Sequence, residues 1–334
     1  MTIIPLTPTT RMLRRRHAAR LITTMAALLA AAPLATPAPA AAAAPRVEIR
    51  IGDLPTGPAP QVPVAVSKSV HDGDVVTPLP GQVEILGTTA TGDVVAVATG
   101  RRLARVFRIG PDGGTDVTKL ATTAAMAGAT LSDDGGILAV REPVEGGDSR
   151  VRVLSTADGS ELAVRVFTGY QVPIGASDQT VYLTTPQGTS AWTVGGGVRR
   201  ISTAHGYLAR PGLDLLATVP TAATGNGCTT LRRLSDPSTE LWSSCTEWIE
   251  SISPDGKRLL TLPIQVQPDG DHRLVRTVEG RLISRYDAPK AYFLAPGWED
   301  AHTLLVGVGK GDRSAYVRCG TQSCERASGP GPLA

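Results

Sequence analysis

Ser253-Pro254-Asp255-Gly256-Lys257-Arg258-Leu259-Leu260-Thr261-Leu262 is the stretch on which the fold turns. Its first four residues suit a tight turn: Pro presets φ at the second position, Ser and Asp accept hydrogen bonds from nearby N–H groups, and Gly accepts a positive φ. Its last four residues are a short apolar strand. Similar strands begin at Val94, Ile137, Val181, Leu215 and Leu304, and Ser132-Asp133-Asp134-Gly135 supplies the same kind of turn before Ile137. The six strands are spaced by 43, 44, 34, 44 and 45 residues.

A period in the low forties is that of a four-stranded propeller blade. After each of these strands a second hairpin follows, with tips at Gly110-Pro111-Asp112-Gly113, Thr156-Ala157-Asp158-Gly159, Gly195-Gly196-Gly197, Asp236-Pro237, Glu279-Gly280 and Thr321-Gln322. Two hairpins per period make four strands, an apolar inner pair and an outer pair that alternates, as in Val151-Arg152-Val153. The fold class expected is therefore all-β, a propeller of six or seven four-stranded antiparallel blades. Residues 46–80 fall outside the six units. There Val64-Ala65-Val66 and Val75-Val76-Thr77 flank His71-Asp72-Gly73-Asp74 and read as one hairpin, which completes a seventh blade, overlays the ring closure or caps an edge. The organisation expected is a leader over 1–44, an extension with one hairpin over 45–80, the propeller over 81–328 and a disordered tail over 329–334.

The leader has the order of a secretory signal. Residues 1–44 carry Arg11, Arg14, Arg15, Arg16 and Arg20, no Asp or Glu, an apolar run from Leu21 to Leu34 and small residues from Ala38 to Ala44. Cleavage is expected between about residues 38 and 44, with no stable membrane span left behind. Arg14-Arg15-Arg16 leaves the export route open between the general and the twin-arginine pathways. No Cys precedes Cys228, which argues against a lipid-modified amino terminus. Of 33 basic residues five lie in the leader, so 28 stand against 30 acidic residues after it, a formal charge of −2. That balance, with no clustered basic stripe, argues against a nucleic-acid partner.

All four Cys follow the leader, in what is then an oxidising compartment. Cys228 and Cys245 are equidistant from the Asp236-Pro237 tip, and Cys319 and Cys324 from Thr321-Gln322. Each pair thus sits opposite across an outer hairpin, and the disulfides expected are Cys228 with Cys245 and Cys319 with Cys324. No Cys-x-x-Cys pair favours zinc instead.

At the level of motifs, Ser253-Pro254-Asp255-Gly256-Lys257 matches the signature turn of TolB-like repeats, and Ser132-Asp133-Asp134-Gly135 nearly does. Over residues 81–327 the chain resembles TolB-like and WD-repeat propellers, without the Trp-Asp pair of eukaryotic WD repeats. The resemblance implies the fold and, by analogy, a binding role. Some such relatives join the propeller to a serine-peptidase domain, which is not expected in a chain that ends at Ala334.

Chemistry is harder to find. No nucleophile elbow, His-Glu-x-x-His motif or phosphate-cradling glycine loop occurs. His71, His205, His272 and His302 fall in different units, and the acidic turns Asp133-Asp134, Asp269-Gly270-Asp271 and Glu299-Asp300 lack the alternating oxygen ligands of a calcium loop. No catalytic residue, cofactor or metal is expected. Counting back eleven residues from the strand starts gives Val83, Met126, Tyr170, Trp248 and Phe293, with Tyr292 beside Phe293 and Tyr207 eight residues back in the shortened fourth unit. These positions open the innermost strands. Tyr170, Tyr207, Trp248 and Tyr292 are candidates for an amphipathic rim contacting a protein or glycan, and the same positions also suit packing between blades. The function expected is an exported, non-enzymatic binding or scaffold protein at the cell envelope; the alternative is a secreted hydrolase or lyase with its site at the channel mouth.

Overall fold

A computed structural model describes residues 43–124, 128–185, 187–220, 227–264, 270–311 and 313–328. The leader up to residue 42, Met126 and the tail from 329 lie outside the described residues. The chain is a seven-bladed β-propeller. Six blades are four-stranded antiparallel sheets in sequence order: blade 1 (82–124), blade 2 (129–167), blade 3 (172–202), blade 4 (205–244), blade 5 (247–289) and blade 6 (292–327). The six apolar runs are the second strands of these blades, for example Val94–Thr99, Leu215–Val219 and Leu304–Lys310. Blade 3 is short because only two to four residues join its strands to one another and to blade 4.

The turn chemistry repeats atom for atom in blades 2 and 5. Ser253 Oγ donates to Asp255 Oδ1 (2.6 Å) and accepts from Arg258 N (2.9 Å), while Asp255 Oδ1 also accepts from Lys257 N (3.1 Å). In blade 2 the same bonds join Ser132 to Asp134 and Ile137 N, and Asp134 to Gly136 N. Gly256 and Gly135 both take φ near +70°, which a Cβ would strain.

Residues 64–78 form the seventh blade, a sheet of three strands, Val64–Val66, Ser69–Asp72 and Val75–Pro78. The hairpin read between the first and last of these omits the middle strand. Ser69-Val70-His71-Asp72 carries one apolar residue, too little alternation to signal a strand. Val64 and Val66 pack on Leu305, Tyr316 and Ala327 of blade 6. On the other side Val70 joins Val83, Val94, Ala96 and Phe107 of blade 1. The ring is thereby closed, and a Tyr316 hydroxyl bond to Ala65 O (2.6 Å) crosses one of the two seams.

Before it reaches the seventh blade the chain runs along the outside of two others. Arg46–Glu48 pairs in parallel with Leu282–Pro289, the outermost strand of blade 5, and Thr56–Gly57 pairs in parallel with Cys324–Ala327 of blade 6. A half-buried clamp holds this belt. Arg318 forks onto Glu299 (Nη2 to Oε1, 2.7 Å), reaches Glu325 (2.9 Å) and donates to the carbonyls of Pro58 (3.1 Å) and Ala59 (2.8 Å), while Gln61 N donates to Glu299 (2.6 Å). Both disulfides form as the spacing predicts. Cys319–Cys324 is a directly opposed cross-strand pair in blade 6, and Cys228–Cys245 staples the open end of the outer hairpin of blade 4.

Candidate functional site

First strands of neighbouring blades lie against one another between blades 7 and 1, 1 and 2, 2 and 3, 3 and 4, and 5 and 6. Between blades 3 and 4 they touch backbone to backbone, so that a Cβ on Gly175 would stand 2.2 Å from Ala209 O. In blades 1, 3, 4, 5 and 6 the first strand also slips register by one residue against the second, at Ile85/Gly87, Pro173/Gly175, Gly206/Leu208, Ile249/Ser251 and Leu294/Gly297. Bulges of this kind bend a strand and re-aim the side chains that begin it.

Tyr170 lies two residues ahead of the first strand of blade 3, and Tyr292 and Trp248 are the first and second residues of those of blades 6 and 5. Tyr207, expected at an opening, is instead the bulged third residue of that of blade 4. Their surroundings divide the four into two kinds. Tyr207 and Trp248 meet edge to face at 5.2 Å across the seam between blades 4 and 5. The Tyr207 hydroxyl bonds the Thr229 hydroxyl and accepts Ile249 N at 3.2 Å, and burial pushes its pKa up to about 12. Tyr170 and Tyr292 are the open pair, 57% and 48% exposed. Tyr170 lies over the Arg141 guanidinium, 4.1 Å from Cζ to ring centroid. Tyr292 lies across Gly309, its cross-strand partner, where a Cβ would meet the ring at 2.8 Å. Val83 and Phe293, at the same openings, are buried.

Sequence reading missed a cationic cleft of about 830 Å³ between blades 5 and 6. Arg50, Lys290, Lys310 and Arg326 line it against the single carboxylate of Asp53. Arg50 is engaged by Glu48 (2.6 Å) and Arg326 by the Thr56 hydroxyl (2.8 Å). Lys290 takes φ +56°, a left-handed conformation that costs a non-glycine residue on the order of 1 kcal/mol. Two of the chain's five lysines meet here, and that scarcity was the one signal available in the sequence. Such a cleft attracts acidic groups.

The histidines stay apart, His71 in blade 7, His205 in blade 4, His272 in blade 5 and His302 in the turn after Trp298 of blade 6. Burial lowers the pKa of His272 and of His71. The acidic turns are occupied by local partners: Asp133 holds Arg210 (2.6 Å) and Gly212 N (2.7 Å), Asp271 holds Arg273 (2.6 Å) and Phe293 N (3.2 Å), and Asp300 holds His302 N (2.6 Å) and Thr303 N (2.8 Å). Among the described residues no three His, Cys, Asp or Glu side chains are grouped to hold a metal ion, and no helix is long and apolar enough to cross a membrane.

No family model matches the chain, and no curated protein does. Solved structures do. One chain from a study of two prolyl endopeptidases is similar with a TM-score of 0.52 and 14% identity, over 75% of this chain and 43% of that one. A chain of the mitotic checkpoint complex matches at 0.49 and 15% identity over 92% and 88% of the two chains. A putative TolB from Agrobacterium tumefaciens matches at 0.45 and 15% identity over 64% and 85%. At such identities the likeness concerns the propeller fold alone.

Proposed function

We propose that this chain is an extracytoplasmic, non-enzymatic propeller that binds or scaffolds a protein or glycan partner at the cell envelope, through the face on which its inner strands open. The observation that carries the reading is the exposure of Tyr170 and Tyr292 at equivalent openings of blades 3 and 6, in a chain only 4% aromatic. Tyrosine offers a rigid apolar body with a polar tip, the side chain best suited to an interface that is wet at its edge. Tyr207 and Trp248 supply the packed wall between them. Lys290 and Lys310 flank the Tyr292–Gly309 pair in sequence and extend the surface toward acidic groups on the partner. Export is supported by the leader-like order of residues 1–44 and by the two disulfides.

The test is retention of secreted and wall fractions by the immobilised protein, beside a Tyr170→Ala/Tyr292→Ala double variant of unchanged melting temperature. The wild type is expected to retain a defined protein or glycan that the double variant loses. Equal retention by both, or none by the wild type, overturns the reading.

A further inference from the structure

Among the described residues two arginines are buried, Arg273 at 5% and Arg141 at 7% exposure, and they are built differently. Arg273 has two carboxylates, Glu250 (2.5 Å) and Asp271 (2.6 Å), beneath the ring of Phe293. Arg141 has none. Its Nε donates to Ser149 Oγ (3.1 Å), its guanidinium lies over one face of the Tyr170 ring, and its Nη atoms have no partner among the described residues. Arg232 Nε is the one side-chain atom there that is both sealed from solvent and unpartnered, so the Arg141 Nη atoms reach solvent. A buried cation without a counter-charge costs free energy that folding alone does not recover.

The surroundings hold this guanidinium in place. Ser149 is fully buried; besides Arg141 it accepts Gln171 N (3.0 Å) and donates to Gly169 O (3.0 Å), and Asp148 accepts Gly169 N (2.9 Å). One hydroxyl therefore fixes both the arginine and the loop that carries Tyr170. We propose that Arg141 and Tyr170 form a subsite for a carboxylated sugar. The guanidinium edge takes the carboxylate of one sugar unit in a two-point bond, and the tyrosine face turned away from Arg141 carries the C–H face of an adjoining unit. The proposal rests on the binding role put forward above and names its ligand chemistry at blade 3.

Arg141→Met separates a ligand-directed arginine from a structural one. Without ligand its melting temperature is expected to equal or exceed that of the wild type, because a buried unpaired charge has been replaced by an apolar side chain of similar length. Titration with oligo-glucuronate is expected to show binding to the wild type and at least about tenfold weaker binding to Arg141→Met, with Arg141→Lys also weakened because the two-point geometry is gone. A marked fall in the melting temperature of Arg141→Met, or no wild-type response to oligo-glucuronate, overturns the proposal. Response only to inorganic phosphate, or only to N-acetylglutamate, overturns the sugar carboxylate. Retention of the cellular partner by Arg141→Met but not by the double tyrosine variant removes this inference and leaves the binding role standing.

Discussion

At the scale of single residues, hydroxyl groups at the seams do much of the joining. Tyr207 ties blade 4 to Ile249 of blade 5, Tyr286 ties blade 5 to Gly320 of blade 6 (2.8 Å), and Tyr316 ties blade 6 to Ala65 of blade 7. Tyr207→Phe leaves the fully buried Thr229 hydroxyl and Ile249 N without that partner, so denaturant unfolding near neutral pH is expected to show a loss of about 1–3 kcal/mol. The variant also has a pH signature. Burial raises the pKa of Tyr207 and of Tyr316 to about 12, above the value of about 10 in the unfolded chain. The stability that comes from keeping them neutral is complete below about pH 10 and is lost as pH rises from there toward 12. Tyr207→Phe is expected to unfold less steeply with alkali than the wild type, and equal slopes would contradict this. None of these pairings can be read from sequence. Spacing from the strand starts aligned Tyr207 with Tyr170, but Tyr170 lies two residues ahead of Val172–Ala176 while Tyr207 is the bulged residue inside His205–Arg210, which turns its hydroxyl into the seam and leaves the Tyr170 ring open.

Elements show where periodicity suffices and where it fails. The Ser253 and Ser132 turns, the paired hairpins and both disulfides are legible because each is a local pattern of fixed spacing. Arg46–Glu48 and Thr56–Gly57 are not, because their partners lie more than 200 residues away and their pairing is parallel. The belt they form depends on Glu299. Burial pulls the Glu299 pKa up, but the bonds from Arg318 and from Gln61 N outweigh it and hold the carboxyl below its usual range. Its contribution is therefore present above the unfolded value of about 4.3 and lost as pH falls below it. Glu299→Gln leaves Arg318 with Glu325 and two carbonyls, at an expected cost of about 2 kcal/mol. The melting temperature of this variant should vary less than that of the wild type as the pH is lowered through the carboxylate range; parallel curves would contradict the clamp.

The whole molecule is a ring whose last blade is contributed by the start of the described chain. Six units were countable from the spacing of apolar strands, and the seventh was ambiguous because its three strands are short and one of them is nearly featureless. Closure hides the edges and apolar faces that six blades would leave open, Leu305 and Tyr316 on one side and Val83 and Phe107 on the other. It also fixes the angular positions of Tyr170 and Tyr292, on which the binding surface depends. Native-state hydrogen exchange of the peptide spanning residues 64–78 tests this closure most directly. Protection matching that of the second strands of blades 1 and 6, Val94–Thr99 and Leu304–Lys310, is the expected result. Exchange at the rate of an unstructured segment would contradict it.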